Sequence, residues 1–400
     1  MTAPEPLRAE PASEGLMSGA EAEDLGERLL ERTAQLVEVA SVSHQEAELA
    51  DLVEAEVRGM ADLGVERIGD SVVARSADRG GARLVLAGHL DTVPPAVEGL
   101  GIERLPDAVA GLGAVDMKGG LAVLLELACR AAHARVGLTF VFYACEEVAR
   151  EENALGRLAQ ERPDLLEGDA AVLAEPTGGV VEAGCQGTAR IRVTLGGRRA
   201  HTARPWTGVN AVHRMAPLLA RISGYPGRRV RLDGCEYREQ LQAVAVQGGA
   251  AANVVPDLAQ LVLNHRFAPD RSPEEALAAL EAWVEEDLQT ALGDQLEVLD
   301  VAPAAPPHLA SPWLAALVAA TGQAPRAKLG WTDVATFAGM GVPAANFGPG
   351  DPRLAHGPRE VVHRDELLHA FWVLGALVGL PTSGPGLDPR GPGEPGPPRS

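Results

Sequence analysis

The sequence predicts an α/β protein: a mixed, largely parallel sheet covered by helices, interrupted in the chain by a smaller α+β domain of ferredoxin-like type. Three observations predict it. First, "ARLVLAG" (82–88), "LTFVFYA" (138–144) and "AAVLA" (170–174) are short, continuous apolar runs separated by helical patterns. Runs without polar alternation belong to strands buried on both faces, as in a parallel sheet between helices. Second, the texture changes from about Cys185, where "TARIRVTLGG" (188–197) alternates apolar and polar residues like a half-exposed antiparallel strand. Third, "WLAALVAATG" (313–322) and "VPAANFGPG" (342–350) return to the first texture, so the main fold is split around an insertion.

The elements follow in order. Residues 21–39 and 46–63 carry helical periodicity, and 118–134 reads as a helix opening from a glycine-rich loop. In the insertion a helix (210–222), two strands ("LQAVAVQGG", "LAQLVLNHRFA") and a helix (272–288) follow the first strand, an order typical of small α+β domains. A last helix is expected at 364–378. The divisions expected are a disordered segment 1–20, a first part of the main domain 21–183, the insertion 184–292, a second part of the main domain 293–380, and a disordered Pro/Gly-rich tail 381–400.

Composition narrows the function. The chain has 400 residues, 46% of them hydrophobic, long enough for two domains. A formal charge of -20 argues against nucleic acid and anionic membranes as partners, while leaving room for a local arginine cluster to take a small anion. The four cysteines, Cys129, Cys145, Cys185 and Cys235, show no CxxC pairing, as expected in a reducing compartment. The start is acidic without a signal-like apolar run, and the longest apolar stretches are too short for a bilayer. A cytoplasmic protein acting on small molecules is the expectation.

Polar residues at strand ends carry the chemistry, because open α/β sheets place their sites there. "LVLAGHLDTV" sets His89 and Asp91 just past a buried strand at i, i+2, on one side if extension continues. Both could ligate a divalent metal, or Asp91 could accept from the His89 ring; a hydrogen-bonded turn is the plain alternative. "GLGAVDMKGG" is not a phosphate loop: it lacks GxxxxGK[ST], and Asp116 stands where GxGxxG needs its third glycine. An acid there repels phosphate and attracts a cation. In "FVFYACEEVAREEN" the adjacent Glu146 and Glu147 point to opposite faces if extension persists, so one could hold a metal while the other serves an activated water. Taken alone, that pair reads better as a solvated acidic helix start. Glu175 ends the run "AAVLAE" and His356 follows "VPAANFGPG". Five donors (His89, Asp116, Glu147, Glu175, His356) thus fall at five loops on one sheet edge, and two metals sharing one carboxylate would use them all.

The ordered set GHLDTVP, GLGAVDMKGG, CEE, AEPT and a late H-G resembles the dinuclear zinc peptidase and deacylase family M20, over about residues 25–380. The resemblance implies a zinc-peptidase-type catalytic domain carrying an inserted lid and dimerisation domain. It implies two Zn2+ per subunit, Co2+ or Mn2+ substituting, with His89 and Glu175 on one, Glu147 and His356 on the other, and Asp116 bridging. Glu146 becomes the general base and Asp91 orients His89. In the lid, His201 would stabilise the oxyanion in a partner subunit's site, while Asn253 and Arg266, with Thr332 of the late loop, would meet a substrate carboxylate. Arg199 and Asp333 are further candidates. Two departures stand out: Thr202 follows His201 where a smaller residue is common, and Cys145 replaces an acid; neither removes a ligand.

"QGTARIRVTLGGRRAHTARPWTGVNAVHR" and "KLGWTDVATFAGMGVPAANFGPGDPRLAH" are most similar to members that hydrolyse N-succinyl-LL-2,6-diaminopimelate. An N-acyl amino acid substrate, a homodimer through the lid, and no nucleic acid or membrane partner are therefore expected. Deacetylating and carboxypeptidase members share the metal motifs and differ only in lid and late loop. A non-catalytic binding protein would be expected to lose a ligand or the base, and all six are present. His44, His133, His213, His265, His308 and His363 lack partner motifs and read as surface or structural.

Overall fold

A computed structural model describes residues 19–79, 81–95, 101–249 and 251–380. Expectations for the two tails fall outside these residues, except that Gly19 and Ala20 already belong to the first helix, Gly19–Glu38. Among the described residues no helix is long and apolar enough to cross a membrane. Among the described residues the chain divides into two compact units, one within 19–183, 307–326 and 336–380 and the other within 184–306 and 327–335.

The first unit is built on an eight-stranded sheet. Its centre is parallel: Gly137–Tyr143, Arg83–His89, Ala170–Leu173 and Ala344–Asn346 lie side by side in that order. Antiparallel strands flank it, with Leu63–Ile68 and Ser71–Ser76 beside Gly137–Tyr143, and Glu182–Ala183 beside Ala344–Asn346. Gly137–Tyr143 is buried at every position, which is why its sequence shows no alternation. The helices Gly19–Glu38, Gly119–Ala128, Pro312–Thr321 and Arg364–Leu377 supply one joint core with the sheet through Leu25, Leu29, Leu121, Leu125, Leu317, Phe371 and Leu374. All ten residues of Gly119–Ala128 are buried, as befits a helix apolar all round. The long helix expected at 118–134 stops at Ala128, and the helix expected to reach residue 63 ends at Arg58, because Leu63 starts an edge strand.

The second unit holds a four-stranded antiparallel sheet ordered Gln240–Gly248, Leu258–Phe267, Gly187–Gly196, Gln295–Ala302. With the helices Ala211–Ser223 and Pro273–Glu285 the chain order is strand, helix, two strands, helix, strand, a ferredoxin-like unit. Asn210 accepts the His213 amide at the first helix start, and Ser272 with Glu275 forms a capping box at the second. Buried Ala276, Leu280 and Val284 face the sheet at i, i+4, i+8. The boundary set at 292 needs correction: Gln295–Ala302 pairs with Gly187–Gly196, so the unit runs to Pro306 and also takes in 327–335. That strand is a largely exposed edge, and a register shift between Val298 and Asp300 breaks the alternation that would mark it.

Candidate metal centre and active site

The four parallel strands end together, and the loops beyond them carry the predicted donors. His89 is the last residue of its strand and lies level with Tyr143 of the neighbour. Glu146 and Glu147 follow Tyr143 by three and four residues, Glu175 follows Leu173 by two, and His356 lies in the loop after Asn346. Asp116 arrives from the glycine loop. Gly113 there has φ of +77°, and an added Cβ would lie 2.6 Å from Thr92 Cγ2. At Gly120 a Cβ would sit 2.2 Å from the Ala174 carbonyl oxygen, so glycine lets the helix start close against the strand that leads to Glu175. The loop's glycines thus serve chain packing around an acid.

Asp116 stands between two imidazoles. Its Oδ1 lies 3.1 Å from His89 Nε2 and its Oδ2 lies 3.4 Å from His356 Nε2. Glu147 Oε1 is 2.7 Å from the same His356 nitrogen. Ligand atoms of His89, Asp116 and Glu147 all fall within 4.8 Å of one another. His89 is 1% exposed, and its Nδ1–H donates to the Asp91 carbonyl at 3.0 Å, which leaves Nε2 as the ring nitrogen turned to Asp116. Glu175 is buried at the adjoining strand end, while Glu146 and Glu147 are half-buried.

Electrostatics follow from this crowding. Hydrogen bonds to Asp116 and Glu147 raise His356 to about 10. Burial works against the charged form of His89, but the carboxylates of Asp116 and Asp91 outweigh it and hold this group well above its ordinary value. Asp116 is held low despite burial, by both imidazoles. Carboxylates concentrated around two imidazoles thus favour positive charge at this place. Nitrogen and carboxylate donors at this spacing suit a divalent cation such as Zn2+, which would compete with protons for them.

Asp91 does more than the sequence indicates. Its carboxylate is 3.6 Å from His89 Nδ1, but it accepts the amides of Glu146 and Glu147, each at 2.9 Å, and the Ser43 hydroxyl at 2.8 Å. Burial pushes it up, yet His89 and the two amides bring it down to about 2. Buried Glu46 takes the preceding amide, Cys145, at 3.0 Å, where the backbone turns through φ of +60°. Two carboxylates therefore hold three consecutive amides of the "CEE" turn. Ser43 and Glu46 escape a sequence reading because their partners lie roughly a hundred or fewer residues away with no motif between them.

The remaining predicted residues belong to the second unit. His201 is exposed, its Nδ1 accepts the Ala203 amide at 3.0 Å, and the Thr202 amide donates to the Asn253 carbonyl at 3.1 Å, so the segments carrying His201 and Asn253 lie side by side. Arg266 is half-buried on Leu258–Phe267, and burial lowers its guanidinium from its ordinary value. Thr332 is buried beside Cys185, whose thiol donates to the Thr332 carbonyl, and Asp333 is buried next to it. Arg199 is paired with Asp257 at 2.8 Å.

The chain is similar to known proteins. A protein of Mycobacterium tuberculosis, provisionally named succinyl-diaminopimelate desuccinylase DapE, is 48% identical over 82% of this chain and 91% of its own. The succinyl-diaminopimelate desuccinylase of Corynebacterium glutamicum is 44% identical over 81% of this chain and 89% of its own. A tripeptidase from Staphylococcus aureus shares the fold with a TM-score of 0.71 at 20% identity, covering 88% of this chain and 97% of that one. The model of peptidase family M20/M25/M40 matches residues 85–379, and the chain belongs to that family.

Proposed function

We propose that this chain is a metal-dependent amide hydrolase that converts N-succinyl-LL-2,6-diaminopimelate and water to succinate and LL-2,6-diaminopimelate, a step of lysine and diaminopimelate formation in the cytoplasm. The observation that carries the chemistry is Asp116 offering one carboxylate oxygen to each of two imidazoles. The substrate rests on the likeness to the mycobacterial and corynebacterial relatives.

In this reading two Zn2+ per subunit, replaceable by Co2+ or Mn2+, would be held by His89 and Glu175 and by Glu147 and His356, with Asp116 as the ligand common to both pairs. Bound there, they would supply Lewis acidity toward the amide carbonyl and a more acidic water. Glu146 takes the proton of that water as its oxygen adds to the succinyl carbonyl carbon. Its amide is held by Asp91, which fixes the backbone from which the base projects. As the C–N bond breaks, Glu146 returns the proton to the leaving amine. His201 donates a hydrogen bond to the oxyanion from the second copy of a homodimer formed through the inserted lid, and Asn253, Arg266 and Thr332 receive the substrate carboxylates. The exposed Val244 and Val246 on the edge strand Gln240–Gly248 support such an association.

The test is succinate release from N-succinyl-LL-2,6-diaminopimelate by the purified chain. Activity lost on chelation and restored by Zn2+ is expected; turnover indifferent to complete metal removal would overturn the reading.

A further inference from the structure

Glu360 lies four residues beyond His356 and is 2% exposed. One of its oxygens, Oε2, accepts the amides of both Val115 at 3.0 Å and Asp116 at 3.1 Å. Its main-chain carbonyl accepts the amide of Gly111 at 3.0 Å, and the next residues pair with Ala108–Ala110 in the strand Val361–His363. Residue 360 thus grips the loop 111–116 at three amides, from a segment more than 240 residues away in sequence. The amides of a chain turning into a helix lack partners within the helix itself. Here a distant carboxylate meets two of them.

We propose that Glu360 is a positioning residue for the metal centre: it fixes the backbone at Val115 and Asp116 so that the Asp116 side chain presents an oxygen to each of His89 and His356. The inference rests on Asp116 being a shared metal ligand. An aspartate has two side-chain torsions, so the direction of its carboxylate is set chiefly by its backbone. The same short segment supplies His356, so Glu360 also ties the loop of one ligand to the loop of another. Because both amides go to a single oxygen, a glutamine oxygen can replace it, whereas alanine cannot. Aspartate keeps the charge but draws the oxygen back by one methylene.

The experiment uses the full chain as wild type, Glu360→Ala, Glu360→Asp, Glu360→Gln and Asp116→Asn. Each is stripped of metal, titrated with Zn2+ against a chromophoric chelator, and loaded with Co2+ for its visible spectrum. Far-UV circular dichroism checks folding. Glu360→Ala and Glu360→Asp are expected to bind metal roughly 10–100-fold more weakly with an altered Co2+ band, the usual scale for a group that orients a ligand. Glu360→Gln is expected to recover most of the affinity and the wild-type band, a rescue that loss of a merely stabilising contact would not produce in a metal spectrum. A folded Glu360→Ala protein, or a folded Glu360→Asp protein where the alanine variant fails to fold, with wild-type affinity and spectrum would overturn the proposal. Asp116→Asn separates the two readings: if it binds metal like wild type, the ligand assignment falls; if it loses metal while the Glu360 variants do not, this inference alone falls.

Discussion

Glu146 and Glu147 are neighbours in sequence whose amides are bound by the two oxygens of one carboxylate, yet they serve different ends in the proposed reaction. Replacing Glu146 by alanine should lower kcat by about 10²–10⁴-fold, the usual contribution of a general base, with bound metal unchanged. Glu147→Ala should instead reduce metal content, since Glu147 Oε1 lies against His356. Turnover and elemental analysis on the two proteins distinguish these outcomes. Asp91→Asn should lower kcat about 10–100-fold with KM nearly unchanged, because an asparagine NH2 cannot accept the amide that now meets that oxygen; steady-state kinetics check it. The candidate donors His89, Glu147 and Glu175 stand out in the sequence because they follow unbroken apolar runs, Asp116 because an acid stands in a glycine-rich loop, and His356 only as a late histidine after "VPAANFGPG". Glu46 and Glu360 do not, because they act on main-chain amides, and nothing in a side-chain pattern records which carboxylate meets a backbone group far along the chain. Ser43 does not, because its hydroxyl donates to the Asp91 carboxylate with no motif joining the two.

Helix and strand placement depends on close approaches that one substitution can block. Gly120→Ala would set a methyl carbon 2.2 Å from the Ala174 carbonyl oxygen, backbone that cannot swing aside. A destabilisation of about 1–3 kcal/mol and a lower Tm are expected, the scale of overpacking; thermal melting tests it. In the inserted unit His265 meets Tyr225 edge-on and lies at a tilt to Phe267, with the Tyr225 hydroxyl 3.2 Å from its Nε2. Burial, then the nearby Arg271 charge, lowers His265 to about 4. A histidine depressed in the folded state leaves stability intact above its unfolded value, near 6.5, and removes it as pH falls from there toward 4. The loss attributable to this residue is on the order of 3 kcal/mol by pH 4. Denaturant melts of His265→Phe should therefore show a weaker acid dependence than wild type between pH 7 and 4. The ferredoxin-like pattern was readable in its buried members, Gly187–Gly196 and Leu258–Phe267, which alternate cleanly. Its last strand was not, since a register shift between Val298 and Asp300 interrupts its alternation. The hairpins Leu63–Ile68 with Ser71–Ser76 and Arg229–Leu232 with Cys235–Arg238 also went unread, being short strands without long apolar runs.

At the scale of the whole molecule, a chain of charge -20 collects its cation-seeking carboxylates at one edge of one sheet, and the proposed substrate carries carboxylates of its own. Local metal and arginine charge must then overcome the general field, so activity should respond to ionic strength. The homodimer reading predicts a solution mass of two chains by light scattering. Val246→Asp, on the exposed edge strand, should shift that mass toward one chain and reduce turnover if His201 is supplied between subunits. The most direct measurement is kcat/KM for N-succinyl-LL-2,6-diaminopimelate beside N-acetylornithine, with the Zn2+-loaded protein. A preference of at least a hundredfold for the succinyl substrate is expected, on the order of 3 kcal/mol of discrimination. A preference for N-acetylornithine would overturn the proposed substrate while leaving the metal chemistry.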